Sequence, residues 1–501
     1  MRTALVLLLL LPAGAAAQEA SPYLPISHWS MPFLEHLITA GRLVDPTPLT
    51  RPFRVDQVLR ALDAVDSTIV TRAEWAVVRQ VRSDLTRHEH GPAARLDVHA
   101  GLAASSHARR DPLREAGTGQ ATFSGGAALT LYLGPVVFVS HPYFDTRLKY
   151  DPDWYGKKDR VVAGRFSEAY ISAQFTYADI FFGSLDRNWG PSAVQGLLLS
   201  DSPYGPDHFG LTLGTTGVKL EGIANQMNDL TDSTGATVHR YMVQHRLWIR
   251  PPPPGRWTFA VWEGSVLSGV GRQIEPWYVN FASLGLLSQL NTGTNVNSFL
   301  GFDVQRRARV TLFAQGLLDD IQVDKKTAAD RKPSSYGLTV GAQGSIPHPS
   351  GGGAWTVFYT RVANLTYRNE DNFQTPIYFG LGTGRNFSDY DQTTLQLSFM
   401  PTPAALLQPE ITLLRQGEGD LHLPHPPVSA YPSTPAFLSG VVERTLRLAA
   451  RGHVVHGRWV LSGDGGVHLI SNAAHVTGAS KTRWVGTIQL SWQTKKEGRI
   501  P

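Results

Sequence analysis

Residues 484–493, WVGTIQLSWQ, alternate strictly between polar and apolar side chains from Thr487 onward. In an extended chain every second side chain points to the same face, so this segment has one apolar and one polar face. The same alternation occurs in YISAQFTY at 170–177 and in TLQLSF at 394–399. A period of two residues predicts β-strands.

Segments of this kind recur from about residue 94 onward, separated by turn-forming residues, in a chain that contains 48 Gly and 33 Pro. We predict 18 strands, most of them roughly 9–12 residues long, which is the length that a tilted membrane-spanning strand needs. Their predicted starts lie near residues 94, 121, 135, 165, 177, 208, 217, 238, 256, 297, 309, 335, 353, 391, 406, 440, 457 and 482. The strands of a soluble β-sandwich also alternate in polarity. Strands can cross lipid only in a closed sheet. The even number and the length of the predicted strands favour an all-β membrane barrel of antiparallel strands.

The predicted connections between strands differ in length. PPPPG at 251–255 is a short turn, whereas 266–296 and 364–390 are long, polar and aromatic. Short turns at one end and long loops at the other are typical of outer-membrane barrels. The segments 187–206 and 266–296 are long enough to fold inward and plug the lumen.

The charged and aromatic side chains of the predicted strands allow two further predictions about where these residues lie. Charged groups avoid lipid, so those in strands should face the lumen or lie near an aqueous end. They are Lys219, Glu221, Arg444, Arg447 and Arg483. Tryptophans near strand ends are expected either in interfacial girdles or in ordinary core contacts. They are Trp248, Trp257, Trp262, Trp484 and Trp492.

The N-terminal sequence predicts export. A basic start, an apolar run from Ala4 to Leu11 and three alanines before Gln18 indicate a secretory signal peptide at 1–17, cleaved between Ala17 and Gln18. The alternative, a short membrane anchor, would need about 20 apolar residues. Without cysteine, the chain has neither disulfides nor a lipid-acceptor residue. After the signal peptide, we predict a helical region, a barrel and a tail, at 18–92, 93–493 and 494–501. Helical spacing of apolar residues places the helices at 31–40, 52–65 and 72–87.

RNWGPSAVQGLLLSDSP at 187–203 joins an Arg, a Trp and a Gly-Pro turn to a Leu triplet. Other distinctive segments follow it: HRLWIRPPPPGRWTFAVWEGSVLSGVGR at 245–272, EPWYVNF at 275–281, NVNSFLGFDVQRR at 295–307, LFAQGLLDDIQVD at 312–324 and FGLGTGRNFSDYDQTTLQLSF at 379–399. In this order they resemble the Wzi family of capsule assembly proteins. The resemblance implies an outer-membrane barrel of about 18 strands with periplasmic helices, which holds capsular polysaccharide at the cell surface. The chain departs from many such barrels at its end, where QTKKEGRIP follows Trp492.

Sugar recognition requires flat aromatic faces for pyranose rings and planar polar groups for hydroxyl and acidic substituents. Candidate polysaccharide-binding residues of this kind are Trp154, Tyr155, Arg187, Trp189, Trp277, Tyr278, Asn280, Tyr367, Arg368 and Asn369. Each has a structural alternative, because Trp189 can fix a turn inside the barrel and loop tyrosines and tryptophans often lie at lipid headgroups.

The sequence contains no HExxH, GxSxG or P-loop motif, so we predict neither an enzyme nor a cofactor, and no metal site. The expected function is non-catalytic binding of extracellular or capsular polysaccharide by an outer-membrane protein. A porin or export channel is the alternative, and a hydrolase using Ser184 and His208 is a weaker one. Expected partners are the polysaccharide and outer-membrane lipids, with export machinery at the helices left open. The net charge of +5 is spread along the chain and indicates no nucleic acid. We expect a monomer.

Overall fold

The computed structural model describes residues 19–252, 255–292, 295–320, 326–347 and 352–500, so the predicted signal peptide and its cleavage site lie outside the described residues. Eighteen antiparallel strands, β1 to β18, close into one barrel, in which β18 pairs with β1. They are β1 Ala93–Ser105, β2 Ala121–Leu133, β3 Val136–Asp145, β4 Ala163–Gln174, β5 Ala178–Ser184, β6 Asp207–Gly214, β7 Val218–Gln226, β8 Thr237–Ile249, β9 Trp257–Val270, β10 Val296–Arg306, β11 Val310–Asp320, β12 Ser335–Ile346, β13 Gly353–Val362, β14 Tyr390–Thr402, β15 Ala405–Gln416, β16 Glu443–His456, β17 Trp459–Ser471 and β18 Ser480–Arg499. The predicted membrane barrel is confirmed.

The predicted strand starts agree closely with the observed ones. The largest difference is at β16, predicted near residue 440 and observed from Glu443. The end of the chain differs more, because β18 continues through residues 494–499, where the sequence predicts a tail. These residues pair with the first residues of β1, from Ala93 to Val98. The barrel closes through them because β1 would otherwise expose an unpaired edge.

The two ends of the barrel are unlike. Two-residue turns such as 134–135 and 457–458 lie at one end, and long loops such as 363–389 lie at the other. Outer-membrane barrels have short periplasmic turns and long extracellular loops, which orients the molecule. Large apolar side chains cover the outer surface, with Trp484 reaching 80% exposure. This apolar band is the surface that faces lipid and places the protein in the outer membrane.

Charged strand residues avoid this band, as predicted. Arg447 is fully buried, Arg483 pairs with Glu115, and Arg444 is the second residue of β16, near its extracellular end. Lys219 and Glu221 face the lumen beside two side chains of β8, Trp248 and Arg246.

Both environments considered for the strand-end tryptophans occur. Trp257 and Trp484 are exposed on the outer surface. Trp248 and Trp262 instead face inward and are buried, because the strand register puts them against chain segments inside the lumen.

Three helices, α1 Met31–Thr39, α2 Val55–Asp63 and α3 Arg72–Leu85, occupy the periplasmic end of the barrel. Their apolar faces form one buried cluster with barrel residues near the short turns, including Met400, Leu406 and Val455. Thr71 begins α3 with a capping box, in which Thr71 Oγ1 accepts from Glu74 N and the Glu74 carboxylate accepts from Thr71 N. The predicted helical segments are confirmed, with slightly shorter bounds.

Chain segments fill the lumen above these helices. Thr50–Arg51 forms a two-residue antiparallel pair with Asn188–Trp189, which joins the N-terminal region to the β5–β6 connection. Above this pair lies the β13–β14 connection, held where Ser200 N donates to Thr383 O at 2.9 Å. We call residues 45–51, 187–206 and 363–389 the lumen plug. The predicted inward folding of 187–206 is confirmed.

Arg246 of β8 ties the lumen plug to the barrel wall. Its guanidinium donates to Thr50 Oγ1 at 2.7 Å and to Leu49 O at 2.8 Å. It also pairs with Asp303 Oδ2 of β10 at 2.9 Å, and both charged side chains are fully buried. The Arg246 guanidinium also lies over the Trp189 ring, with its central carbon 5.2 Å from the ring centroid. One buried charge therefore contacts two segments of the plug.

The Leu triplet of the plug packs against the inner wall. Leu197 and Leu198 are buried in a cluster with Trp262, Phe299 and Tyr367. A glycine lies opposite them, and a Cβ on Gly264 would lie 2.9 Å from Leu198 Cδ1, so the Leu198 side chain would have to shift. The wall and the plug are thus complementary in shape, and the triplet belongs to a core inside the barrel.

The β9–β10 connection folds in the opposite direction to that predicted for 266–296. Its helices, α4 Pro276–Val279 and α5 Gly285–Thr292, pack on the outer face of the barrel. There Glu263 lies 2.8 Å from His245 Nδ1 and accepts from Gly285 N at 2.8 Å. Glu263 stands six residues above Trp257, roughly 15 Å along the barrel axis for a tilted strand. The helices therefore cover a polar pair that would otherwise face lipid.

We expect Arg246→Ala to lower the free energy of unfolding by about 3–5 kcal/mol, because Asp303 is left buried without its cationic partner. Chemical denaturation of the detergent-solubilised protein measures this. Arg444→Ala, at an exposed position near the strand end, is the control and should change stability by less than about 0.5 kcal/mol. Equal losses in the two variants would contradict the role of Arg246.

Candidate functional site: an extracellular aromatic cluster

Three extracellular loops meet in a group of aromatic rings, which we call the aromatic cluster. It consists of Trp154, Tyr155, Tyr204, Tyr378 and Phe379. Tyr155 and Phe379 stack with ring centroids 4.1 Å apart and an interplanar angle of 12°. They are 47% and 39% exposed. The stack therefore presents an apolar platform to solvent at the extracellular end.

The platform rests on buried rings beneath it. Trp154 lies 4.8 Å from Tyr155 and 5.0 Å from Tyr204, measured between ring centroids. The Tyr204 hydroxyl donates to Asp151 Oδ2 at 2.6 Å, and the Arg110 guanidinium lies over its ring. Burial raises the pKa of Tyr204 to about 12, so the hydroxyl stays protonated at neutral pH. These contacts fix the position of the stack.

Phe379 is held in an unusual backbone conformation. Its φ is 47°, in the left-handed region that non-glycine residues rarely adopt. Its N–H donates to Asn228 Oδ1 at 2.8 Å, which joins the β7–β8 connection to the cluster. Next to it, burial raises the pKa of Tyr378 to about 12, so this hydroxyl can also donate a hydrogen bond at neutral pH. Strain retained at an exposed aromatic residue is typical of a functional position.

A basic segment follows the platform in the chain. Lys157, Lys158 and Arg160 are exposed on the β3–β4 loop, and we call them the basic tip. The loop is anchored at its base, where Arg109 Nε lies 3.0 Å from Asp153 Oδ2. Aromatic faces for sugar rings and cations for acidic substituents thus occur on one loop.

The structure brings together two of the candidate residues named from sequence, Trp154 and Tyr155. Sequence reasoning missed Tyr204, Tyr378 and Phe379. The tripeptide at 378–380, Tyr-Phe-Gly, was an available signal, because two aromatics before a turn residue in a long loop favour an exposed position.

The other candidates inside the barrel hold the plug and its loops together. Arg187 Nε donates to His208 Nε2 at 2.8 Å, and Trp189 is buried in the plug. Tyr367 is also buried and donates its hydroxyl to Leu197 O. Arg368 donates to Leu423 O and Pro424 O, which joins the β13–β14 and β15–β16 connections, and Asn369 O accepts from His425 N.

Trp277, Tyr278 and Asn280 lie away from the aromatic cluster. They belong to the β9–β10 connection, on the outer face of the barrel. Trp277 is 47% exposed there, while Tyr278 is buried against Val243 and Leu267 of the wall. Their surroundings are those of the lipid interface.

Ser184 and His208, the pair considered for a hydrolase, form hydrogen bonds with other groups. Ser184 Oγ donates to Gly205 O, and the ring nitrogens of His208 contact Arg187 and Pro206 O. Ser184 and His208 therefore do not form a nucleophile–base pair. Within the described ranges, no group of three His, Asp or Glu side chains is arranged to hold a metal ion, and no helix is long and apolar enough to cross a membrane.

We expect Gly156→Ala to disturb the platform, because its Cβ would lie 2.5 Å from Cε2 and Cζ2 of the buried Trp154 indole. Overpacking of this kind costs about 1–3 kcal/mol, enough to open the loop at least about fivefold more often. Tryptic cleavage after Lys157 and Lys158 should accelerate accordingly. Gly465→Ala is the control, since a Cβ there meets no atom within 4 Å. Unchanged cleavage of both variants would contradict this packing.

Known proteins resemble this chain in structure. The solved structure of Wzi from Escherichia coli, described as an outer-membrane, carbohydrate-binding β-barrel involved in group 1 capsule assembly, has 14% identity and a TM-score of 0.62, and the match covers 93% of this chain and 97% of that one. OccAB4 from Acinetobacter baumannii has 8% identity and a TM-score of 0.46, covering 82% and 99%. A BenF-like porin from Pseudomonas fluorescens has 10% identity and a TM-score of 0.45, covering 82% and 99%. No protein-family model and no curated protein matches the chain. The chain thus shares the fold of the Wzi barrel, as its sequence segments predicted.

Proposed function

We propose that this outer-membrane barrel binds an extracellular polysaccharide at the cell surface without catalysis, through the aromatic cluster and the basic tip, and thereby assists capsule assembly. The observation that carries the proposal is the exposed stack of Tyr155 and Phe379. A rigid, solvent-facing aromatic pair offers contact area to the apolar face of a sugar ring at little cost in side-chain entropy.

Charge and fold support the same ligand class. The basic tip follows Tyr155 on the same loop and carries two lysines and one arginine against one carboxylate, that of Asp159, and this excess of cations suits carboxylate-bearing sugars. The Wzi structure that shares this fold is described as carbohydrate-binding. The filled lumen favours a surface binder over an open pore.

We expect Tyr155→Ala to weaken retention of polysaccharide about five- to tenfold, because removing one face of the stack loses roughly 1 kcal/mol or more. Binding of labelled surface polysaccharide from the source bacterium to immobilised full-length protein measures this loss.

Trp277→Ala provides the matched control. Trp277 is as exposed as Tyr155 but lies on the lipid-facing side of the barrel, so its replacement should leave retention unchanged. Failure of the unmodified protein to bind any surface polysaccharide would refute the proposal, and a larger loss in Trp277→Ala than in Tyr155→Ala would place the site elsewhere.

A channel is the second candidate function, and one observation favours it. Two cavities lie beside the plug and share lining residues, so space continues from the loops toward α1. Nevertheless, the plug is fixed to the wall by buried bonds. We expect no steady conductance from the unmodified protein in planar lipid bilayers. A stable open current would favour the channel.

A further inference from the structure

The two cavities lie between the lumen plug and the inner wall of β12–β16, and each has a volume of about 360 Å³. They adjoin, since Gln195, Asp201 and Arg451 line both. We call the one nearer the extracellular loops the lumen chamber. Arg110–Arg114, Arg385 and Phe387 bound it on the loop side, and Tyr390 bounds it on the wall side. Its volume falls in the range of small-molecule sites.

Arginine is the main charged residue type of the lumen chamber. Arg110, Arg114, Arg385, Arg447 and Arg451 line it, together with Asp111, Asp153, Asp201 and Glu410. Several of these charges are already neutralised. Arg447 and Arg451 pair with Glu410 and Asp464 of the wall, and Asp153 pairs with Arg109. Arg114 pairs with Asp111 at 3.5 Å. Among the described residues, the cations of the chamber without a direct ion pair are Arg110 and Arg385.

Arg385 is the least compensated of these cations. Its side chain is buried, at 6% exposure. Within the described part of the chain it forms no ion pair, its Nε has no hydrogen-bond partner, and Nη2 makes only a 3.4 Å bond to Thr339 Oγ1. A buried guanidinium without a carboxylate is costly, so its retention beside a cavity indicates an anionic ligand.

Arg114 faces the same cavity and is oriented by aromatic rings. Its guanidinium carbon lies 3.9 Å from the Phe387 ring centroid and 4.7 Å from that of Tyr390. Its Nε donates to Gln416 Oε1 and its Nη1 to Asp111, while Nη2 has no partner among the described residues. Burial lowers the pKa of Arg114, the nearby Asp111 carboxylate raises it in part, and the nearby charge of Arg385 lowers it. Two cations therefore lie close together with donors to spare.

We propose that the lumen chamber binds a small carboxylate-bearing solute, such as an acidic sugar, with its carboxylate between Arg114 and Arg385. Guanidinium groups recognise carboxylates through paired N–H donors. Gln392 and Gln396 of β14 line the same cavity and supply amide groups for hydroxyls. The site uses none of the aromatic-cluster residues and goes beyond the polysaccharide binding proposed above.

Isothermal titration of the full-length protein in detergent with D-glucuronate, D-glucose and sulfate tests the proposal. We expect saturable binding of glucuronate, and binding of glucose at least tenfold weaker. Arg385→Gln and Arg114→Gln should each weaken glucuronate binding at least tenfold. Arg79→Gln, at an exposed position of α3 that lines neither cavity, is the control and should bind glucuronate normally.

Three results would overturn the proposal: equal binding of glucuronate and glucose, sulfate binding as tight as glucuronate, or undiminished binding by Arg385→Gln. Heat-modifiable electrophoretic mobility verifies that each variant is folded. If Arg385→Gln does not fold, the comparison of Arg114→Gln with Arg79→Gln decides. Tyr155→Ala should leave glucuronate binding unchanged, so failure of the chamber is distinguishable from failure of the surface site.

Discussion

The lumen of an 18-strand barrel is too wide for the side chains of its own wall to fill. In lipid every backbone N–H and C=O must be hydrogen-bonded within the protein, so the sheet must close. A closed sheet of this size surrounds a space that is filled by water or by other parts of the chain. In this protein much of it is chain. The N-terminal region enters from the periplasmic side, and the β5–β6 and β13–β14 connections enter from the extracellular side. Arg246 donates hydrogen bonds to the N-terminal segment at the place where that segment pairs with the β5–β6 connection. The buried pair of Arg246 and Asp303 is therefore the contact on which the filled lumen depends.

Filling the lumen also fixes the extracellular surface. The β13–β14 connection is held from below by Arg240 of β8, which donates to the carbonyl oxygens of Phe373, Thr375 and Ile377. Asp389 holds it from the side, accepting from Gly419 N, Leu438 N and Ser439 N of the next loop. Loops that carry so many buried hydrogen bonds do not behave as free surface loops. The aromatic platform can therefore be rigid although it lies at the tip of the molecule.

The starts of the barrel strands and the three N-terminal helices could be located from sequence because their periodicity is local. The short helices α4 and α5 and the last six residues of β18 were not located. The direction in which a loop folds is not local. In VWEGSVL at 261–267, either alternating set could face the lumen, since one contains Trp262 and Val266 and the other Glu263 and Leu267. The observed register turns Glu263 outward, and the α4–α5 connection must then cover it. The same limit explains the candidate residues: Trp189 and Tyr367 have the chemistry of sugar-binding residues, but the plug uses them for packing.

The two candidate sites differ in the physics of recognition. The platform of Tyr155 and Phe379 is open to solvent, so a sugar ring would stack on it in water. Charge attraction is screened there, and a long polymer can approach. The lumen chamber is recessed between the plug and the wall. Its buried cations act in surroundings of lower dielectric than bulk water, which strengthens attraction, and the walls admit only a ligand that fits. Yet one connection serves both, because residues 363–389 carry Phe379 to the platform and Arg385 to the chamber. The bonds from Arg240 and Asp389 set the position of that connection, so the geometry of both sites depends on the same buried hydrogen bonds.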